Sequence, residues 1–312
     1  MHRRLFTFGC SFTHHLLPTW ADIMGLTFDE HQNWGRSGAG NHFIFYSFVE
    51  CLERQQITEN DTVCIMWSSP AREDRFLHGQ WKTTGNIYAG NYPRTYIDDF
   101  ADPTGYFLTS CYLVDSMRQL LETIKCQWHF FSMIQLDSIN DLGGKHDNRS
   151  YDFFGHIRNT QIEIDAKKLF KSTLDKIKPS VHEIIFENDW DSRNDVKIPY
   201  ATENALMIFR RRYQECRGVD WPIFDDFVKN NTAHVKPEIL DEINSQFDFF
   251  SWRDKILSSR QDTHPIPAEH AEYLERLGFT LDTRQKEFVS YWNHKALTDK
   301  HPKFTRTAVK RF

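Results

Sequence analysis

A serine in a sharp turn is the first candidate for chemistry in this sequence. Ser11 lies in the stretch LFTFGCSFTHH, where an apolar run stops at Gly9 and small polar residues follow. A serine hydroxyl is inert at neutral pH, so a nucleophilic Ser11 requires a base and a set of hydrogen-bond donors for an oxyanion. Taken alone, Ser11 or Thr13 is better explained as the cap of a following helix.

The candidate base lies about 250 residues further along the chain. In the stretch SRQDTHPIPAEH, Asp262 precedes His264 by two positions, and Pro265 favours an extended backbone at the histidine. Asp262 can accept a hydrogen bond from one imidazole nitrogen and leave the other to deprotonate Ser11. The alternative is a surface histidine beside a turn-capping aspartate. The presence of the Ser11 turn in the same chain favours the catalytic interpretation.

Oxyanion donors are expected from a glycine-rich loop. In NWGRSGAGN, residues 33–41, Gly38 and Gly40 allow the backbone to approach a ligand and to adopt positive φ. Asn41 begins a predicted helix, where it either presents its amide to a ligand or serves as the N-cap. No Gly-Lys-Ser/Thr sequence follows, so a phosphate-binding loop is not predicted.

Composition limits the classes of partner. The net charge of −5 gives no general attraction to nucleic acid or to an anionic membrane, so neither is expected as a partner. The first apolar run ends at Gly9 and no stretch approaches a membrane span, so neither a signal peptide nor a transmembrane segment is predicted. Six cysteines without a Cys-x-x-Cys pair favour reduced thiols and a cytoplasmic protein.

No cofactor and no metal are expected. His14 and His15 follow the serine closely, but they have no Asp, Glu or His partners at the spacing of a metal site. The contact of these histidines with a substrate remains an alternative.

The periodicity of the chain predicts an α/β fold. Strands are expected at residues 5–8, 62–67, 127–133 and 183–186, with a further short strand near 26–28. Helices are expected at residues 18–24, 41–52 and 113–124 and again from Pro267 to the residue before Gly278. This alternation predicts a parallel sheet, and open sheets of this kind bind ligands at the carboxyl ends of their strands, where Ser11 follows the first strand.

Four segments together resemble one known family. They are FTFGCSFT (6–13), NWGRSGAGN (33–41), CIMWSSPAR (64–72) and DTHPIPAEH (262–270). The chain resembles the SGNH (GDSL-type) hydrolases, and most closely the divergent GCSFT branch found in bacteria and phages. The resemblance covers about 40 residues, and residues 73–261 are unmatched.

The resemblance implies a three-layer α/β/α sandwich around a parallel sheet of about five strands, flavodoxin-like in topology. It implies that Ser11 is the nucleophile, that His264 is the general base and that Asp262 orients the histidine. The backbone N–H groups of Ser11 and Gly38 would then donate to the oxyanion.

Three positions depart from the family pattern. Cys10 replaces the usual Asp before the serine, which leaves a nucleophilic Cys10 as an alternative. The Gly-x-Asn block is missing after the strand ending at Trp67, so Asn41, Ser68 or a backbone amide must replace its donor. Asp262 and His264 are two positions apart where three are usual, which leaves a Ser-His dyad open.

These observations predict a serine esterase that hydrolyses small acyl esters, above all acetyl esters. The resemblance to the family alone implies an acylated carbohydrate as the substrate. Arg72 and Arg75 would lie at the rim of the pocket, where they hold an anionic substrate or are simply solvated. The alternative is a catalytically inactive SGNH-fold module that binds partners, in a phage particle for instance. An oligomer or a virion partner, and with it a virion-associated location, is compatible with both.

Residues 1–278 are expected to form the SGNH-like domain, with insertions at about 137–182 and 189–259. Residues 279–312 form an extension with a basic tail, in which positions 294–312 hold six Lys or Arg residues against one Asp. A tail of this composition is usually solvated, and docking to a partner is the alternative.

Overall fold

The computed structural model describes residues 2–87, 92–136, 161–207 and 260–311. The chain divides into two compact units. The first consists of Met1–Trp190, His264–Asn293 and Lys303–Phe312, and the second of Asp191–Thr263 and His294–Pro302. No helix within the described ranges is long and apolar enough to cross a membrane.

The described strands are β1 (Arg4–Phe8), β2 (Glu30–Asn33), β3 (Thr62–Trp67), β4 (Arg72–Leu77), β5 (Gln80–Asn86) and β6 (Gln127–Ser132). The helices are α1 (Trp20–Gly25), α2 (Asn41–Gln55), α3 (Arg94–Phe100), α4 (Pro103–Ile124), α5 (Gln161–Leu169), α6 (Lys171–Leu174), α7 (Val181–Ile185), α8 (Pro267–Arg276) and α9 (Thr283–Thr298).

The central sheet is parallel and has the order β2-β1-β3-β6. Successive side chains of each strand point to opposite faces of the sheet. Phe6 and Phe8 belong to a buried cluster with side chains of α2 and α4, whereas Leu5 belongs to a cluster with side chains of α1, α7 and α8. The predicted three-layer α/β/α architecture is therefore confirmed.

The fourth predicted long strand is wrong. Residues 183–186 fall largely in helix α7, because Ser180 and Glu183 form a capping box. The Ser180 hydroxyl accepts a hydrogen bond from the Glu183 N–H at 3.1 Å, and the Glu183 carboxylate accepts one from the Ser180 N–H at 2.6 Å. Near the place expected for this strand, Ile177 forms an isolated parallel bridge with Phe130 of β6.

The second strand lies later than predicted. It spans Glu30–Asn33 and not residues 26–28. The prediction followed apolar residues, whereas a strand at the edge of a sheet can be polar. Only Asn33 of its four residues is buried.

An antiparallel hairpin, β4 and β5, has no counterpart in the predictions. Its turn places His78 at φ 52° and Gly79 at φ 75°. Positive φ at both central residues is the geometry of a two-residue hairpin turn, usually written Asn-Gly or Asp-Gly. With His in the first position the signal is weak, and the polar strand Arg72–Leu77 gives no apolar alternation.

The basic segment is not simply solvated. The Arg306 guanidinium forms a bidentate ion pair with the Asp22 carboxylate, with N–O distances of 2.8 and 2.6 Å. It also donates to the carbonyls of His15 and Leu17. The two paired side chains are 9% and 5% exposed, so the expectation of a solvated tail is wrong here.

The second unit contains a helical stretch at residues 199–207. In the same unit, the Lys300 ammonium lies 3.5 Å from the Glu203 carboxylate, and the Ile198 side chain is buried. The predicted insertion at 189–259 belongs largely to this unit, but its residues 208–259 lie outside the described ranges, as do residues 137–160 of the other insertion. The proposed domain limits stay predictions.

The Asp22–Arg306 pair predicts a large effect on stability. Arg306→Ala leaves a buried carboxylate without its counter-charge, which costs about 3–5 kcal/mol of unfolding free energy. Urea denaturation followed by circular dichroism measures the loss, and Lys303→Ala, which removes an exposed charge of the same segment, serves as the control. A loss below about 1 kcal/mol for Arg306→Ala would contradict a stabilising role for the pair.

Candidate active site

The Ser11 turn lies at the carboxyl end of β1. The N–H groups of Thr13 and His14 both donate to the Cys10 carbonyl at 3.0 Å, which closes the turn around Ser11. Gly9 makes this turn possible because a Cβ on Gly9 would lie 2.0 Å from the Thr13 hydroxyl oxygen. The chain therefore reverses next to the sheet edge where parallel α/β folds bind ligands.

The Asn33 side chain joins the Ser11 turn to the glycine-rich loop. Its amide nitrogen donates to the Thr13 carbonyl at 2.8 Å, and its amide oxygen accepts from the Gly35 N–H at 2.9 Å. Both contacts are buried. The position of the glycine-rich loop relative to Ser11 thus depends on a residue at the end of β2.

His264 lies against the Ser11 turn. Its ring stacks on the His15 ring, with centroids 4.3 Å apart and planes 14° from parallel, and lies 5.2 Å from the Phe12 ring. The Ser11 residue is 3% exposed, and its hydroxyl forms no hydrogen bond within the described residues. The structure thus brings the predicted base to the turn that carries the predicted nucleophile, without a hydrogen bond between the two.

Two backbone N–H groups are free to act as donors. In the described part of the chain, neither the Ser11 N–H nor the Gly38 N–H has an acceptor. Gly38 has φ 77°, and a Cβ there would lie 2.2 Å from the Thr83 carbonyl oxygen of β5, so the loop can pack on the hairpin only with glycine at this position. An oxyanion donor requires an N–H group that is not already bound to an acceptor of the protein.

Gly40 and Asn41 have structural partners. The Gly40 N–H donates to the Asp74 carboxylate at 2.9 Å. The Asn41 amide donates to the Ser68 carbonyl at 3.2 Å and to the Ser110 hydroxyl at 3.0 Å, and its oxygen accepts from the Ser68 N–H. Asn41 is not the N-cap of α2, since Gly40 occupies that place. Both of its amide donors are already in use.

Ser68 follows β3 at the same edge of the sheet. Its hydroxyl is fully buried and has no hydrogen-bond partner in the described chain. Such a hydroxyl retains a free donor, but a ligand can reach it only after the side chain is uncovered. Its role as a substitute oxyanion donor stays a prediction.

Arg72 reaches the edge from the base of the hairpin. Its guanidinium donates to the Ala39 carbonyl at 3.2 Å and lies 3.4 Å from the Met133 sulfur, which follows β6. Arg75, the other predicted rim residue, pairs with Glu73 at 2.7 Å and contacts Tyr96. Of the two arginines, only Arg72 contacts the glycine-rich loop.

The Cys10 thiol lies in the hydrophobic core. It lies 3.7 Å from the Met133 sulfur and is fully buried in the cluster that includes Leu5 and Trp20. This geometry favours Ser11 over Cys10 as the nucleophile. The five cysteines in the described ranges are buried and form no disulfide with one another; Cys216 lies outside those ranges.

Asp262 belongs to the second unit, where Tyr200 is its partner. The Tyr200 hydroxyl donates to the Asp262 carboxylate at 2.6 Å. Burial, together with the negative charge of Asp262 and this hydrogen bond, raises the pKa of Tyr200, so the phenol stays protonated at neutral pH. No local sequence pattern points to Tyr200, which lies 62 positions before Asp262.

Asp74 is a second residue that sequence reasoning missed. Its carboxylate accepts from the N–H groups of Gly40 and Phe43, both at 2.9 Å, and so caps α2 from the hairpin. Burial raises the pKa of Asp74 to about 6, although these two N–H groups and Arg72 act in the opposite direction. No rule for local capping can find a partner more than 30 positions away.

No family model matches the sequence, and no curated protein matches it either. Among solved structures, the chain is similar to a member of the lipolytic protein G-D-S-L family from Veillonella parvula DSM 2008, at 14% identity and a TM-score of 0.31. The similarity covers 63% of this chain and 86% of that one. At these values the likeness decides neither the fold nor the activity of this chain.

The capping carboxyl of Asp74 predicts a pH-dependent stability. Because its pKa is higher in the folded chain than the ordinary value near 3.8, the folded state holds the proton more tightly. The resulting stabilisation is complete below about pH 4 and is lost as the pH rises through about 6, by up to roughly 3 kcal/mol.

The free energy of unfolding of the native chain and of Asp74→Asn, measured by urea denaturation between pH 4 and 8, gives this contribution by difference. We expect the native chain to lose stability relative to Asp74→Asn as the pH rises. A difference that does not change with pH would show that Asp74 does not titrate in this range.

Proposed function

We propose that the chain is a serine esterase of the SGNH (GDSL) type that hydrolyses small acyl esters, with acetylated carbohydrates as the first substrates to test. The observation that carries the proposal is the contact of the His264 ring with the Ser11 turn, because these residues are about 250 positions apart. The free N–H groups of Ser11 and Gly38 support it further. The carbohydrate assignment rests on the family resemblance alone.

The proposed reaction has two halves. The Ser11 hydroxyl attacks the ester carbonyl while His264 takes its proton, and the N–H groups of Ser11 and Gly38 donate to the oxyanion that forms. The intermediate collapses, the alcohol leaves with the proton from His264, and an acyl group remains on Ser11. Water then attacks this acyl ester, His264 again accepts and returns a proton, and the carboxylic acid is released.

The low exposure of Ser11 makes small acyl esters the first substrates to test. Only 3% of the residue is exposed, so access to the hydroxyl is restricted. Each oxyanion donor is worth about 2.7–4 kcal/mol of transition-state stabilisation, so two backbone donors can support turnover without the Gly-x-Asn block.

The second candidate function is a catalytically inactive binding module. The lack of a hydrogen bond between Ser11 and His264 favours it, although such contacts are often long before substrate binds. The two candidates differ in whether Ser11 reacts at all.

Ser11→Ala is the first test. For an esterase we expect the turnover of 4-nitrophenyl acetate to fall at least about a thousandfold and labelling by a fluorophosphonate probe to disappear. Ser290→Ala, which alters an exposed serine of α9, is the matched control and should keep both. If the native chain neither turns over the ester nor takes the label, the inactive module is the correct function.

Asp262→Asn distinguishes a triad from a dyad. If Asp262 orients His264, we expect kcat to fall by about 10²–10⁴, since an amide favours the wrong imidazole tautomer. Tyr200→Phe, which removes the hydroxyl that donates to Asp262 and keeps the ring, should have a much smaller effect. An unchanged kcat in Asp262→Asn would assign the reaction to a Ser11–His264 dyad.

A further inference from the structure

Two arginines from distant parts of the chain converge on one aromatic ring. The guanidinium carbons of Arg36, in the glycine-rich loop, and of Arg311 lie 5.6 and 5.5 Å from the centre of the Phe43 ring. Arg311 also lies 5.5 Å from the Trp34 ring. We call Arg36 and Arg311 the arginine pair.

The arginine pair has no acidic partner at contact distance in the described chain. Arg36 donates to the Trp81 carbonyl at 2.9 Å, and Arg311 to the Gly35 carbonyl at 3.1 Å. Each guanidinium has five N–H donors, so most of them are unused by the described residues. Arg306, from the same segment as Arg311, differs in having the Asp22 carboxylate bound to it.

The charge balance at the arginine pair is unfavourable without a further anion. Burial and, after it, the positive charge of Arg36 lower the pKa of Arg311 to about 10. Glu50 acts in the opposite direction but more weakly, and its carboxylate is bound to Arg54 at 2.7 Å. Half-buried like charges without a counter-ion are costly in a folded protein.

A bound oxyanion would remove this imbalance. Guanidinium groups bind carboxylate and phosphate through parallel N–H donors, and the flat rings of Trp34 and Phe43 restrict the orientation of both. The overall net charge of −5 means that a general excess of positive charge does not explain the pair.

We propose that the arginine pair binds the anionic group of a ligand, a carboxylate or a phosphate, beside the glycine-rich loop. The Arg36 backbone N–H donates to the carbonyl of Gly9, two positions before Ser11, at 3.0 Å, so the backbone of the glycine-rich loop contacts the segment that carries Ser11. We take the ligand to be the acidic part of the ester substrate; this last step rests on the proposed esterase function, whereas anion binding does not.

The binding of inorganic phosphate and of acetate tests the anion site directly. Each is titrated into ¹⁵N-labelled protein at constant ionic strength set with chloride, and the arginine side-chain N–H signals are followed. We expect saturable shifts in the native chain and an affinity about tenfold weaker in Arg36→Gln and in Arg311→Gln. Lys310→Gln removes the same charge from the exposed neighbouring side chain and should bind like the native chain.

Equal losses in Lys310→Gln and Arg311→Gln would reveal only general screening and would overturn the proposal, as would native-like binding by Arg311→Gln. The same titrations in Ser11→Ala separate binding from turnover, because anion binding should survive there. The stronger of the two anions identifies the ligand group.

The link to substrate has its own test. The ratio of kcat/KM for 4-acetoxybenzoate to that for phenyl acetate should fall about tenfold in Arg311→Gln and stay unchanged in Lys310→Gln. An unchanged ratio in Arg311→Gln would separate the anion site from the ester substrate and leave the esterase proposal intact.

Discussion

The amide of Asn33 fixes the relation between the two loops on which any chemistry here depends. One side chain donates to the Ser11 turn and accepts from the glycine-rich loop, and both contacts are buried. Apart from this side chain, the backbone hydrogen bond from the Arg36 N–H to the Gly9 carbonyl joins the proposed nucleophile turn after β1 to the proposed donor loop after β2. A misplacement of 1 Å is enough to cost an enzyme a large factor in rate, so the proposed reaction depends on this side chain although Asn33 has no proposed chemical role.

Buried features of the fold could be predicted from the sequence, and polar ones could not. β1, β3 and β6 were recognisable because central parallel strands are continuous apolar runs. β2 and β4 are polar, and the hairpin turn uses His78 where Asn or Asp would have been recognised. Helix α7 was predicted as a strand from its apolar residues, although the Ser180 and Glu183 capping box was visible in the sequence.

The candidate site divides in the same way. Ser11, Gly38 and His264 could be found because each lies in a short motif, and the fold places His264 beside the Ser11 turn. The partners that decide what the other residues do come from distant positions. Asn41 was expected at a helix cap or a ligand, yet its amide binds Ser68 and Ser110, and only the packing of β3 against α2 and α4 determines that.

The helix cap supplied by Asp74 restricts where the β4–β5 hairpin can accept insertions and deletions. A surface hairpin normally tolerates insertions and deletions, and the tip at His78 and Gly79 retains that freedom. At the base of β4, however, a shift of one residue would turn the Asp74 carboxylate away from the first turn of α2 and move the glycine-rich loop with it. The tip of the hairpin thus tolerates changes in length and its base does not, so natural insertions and deletions should occur at the tip.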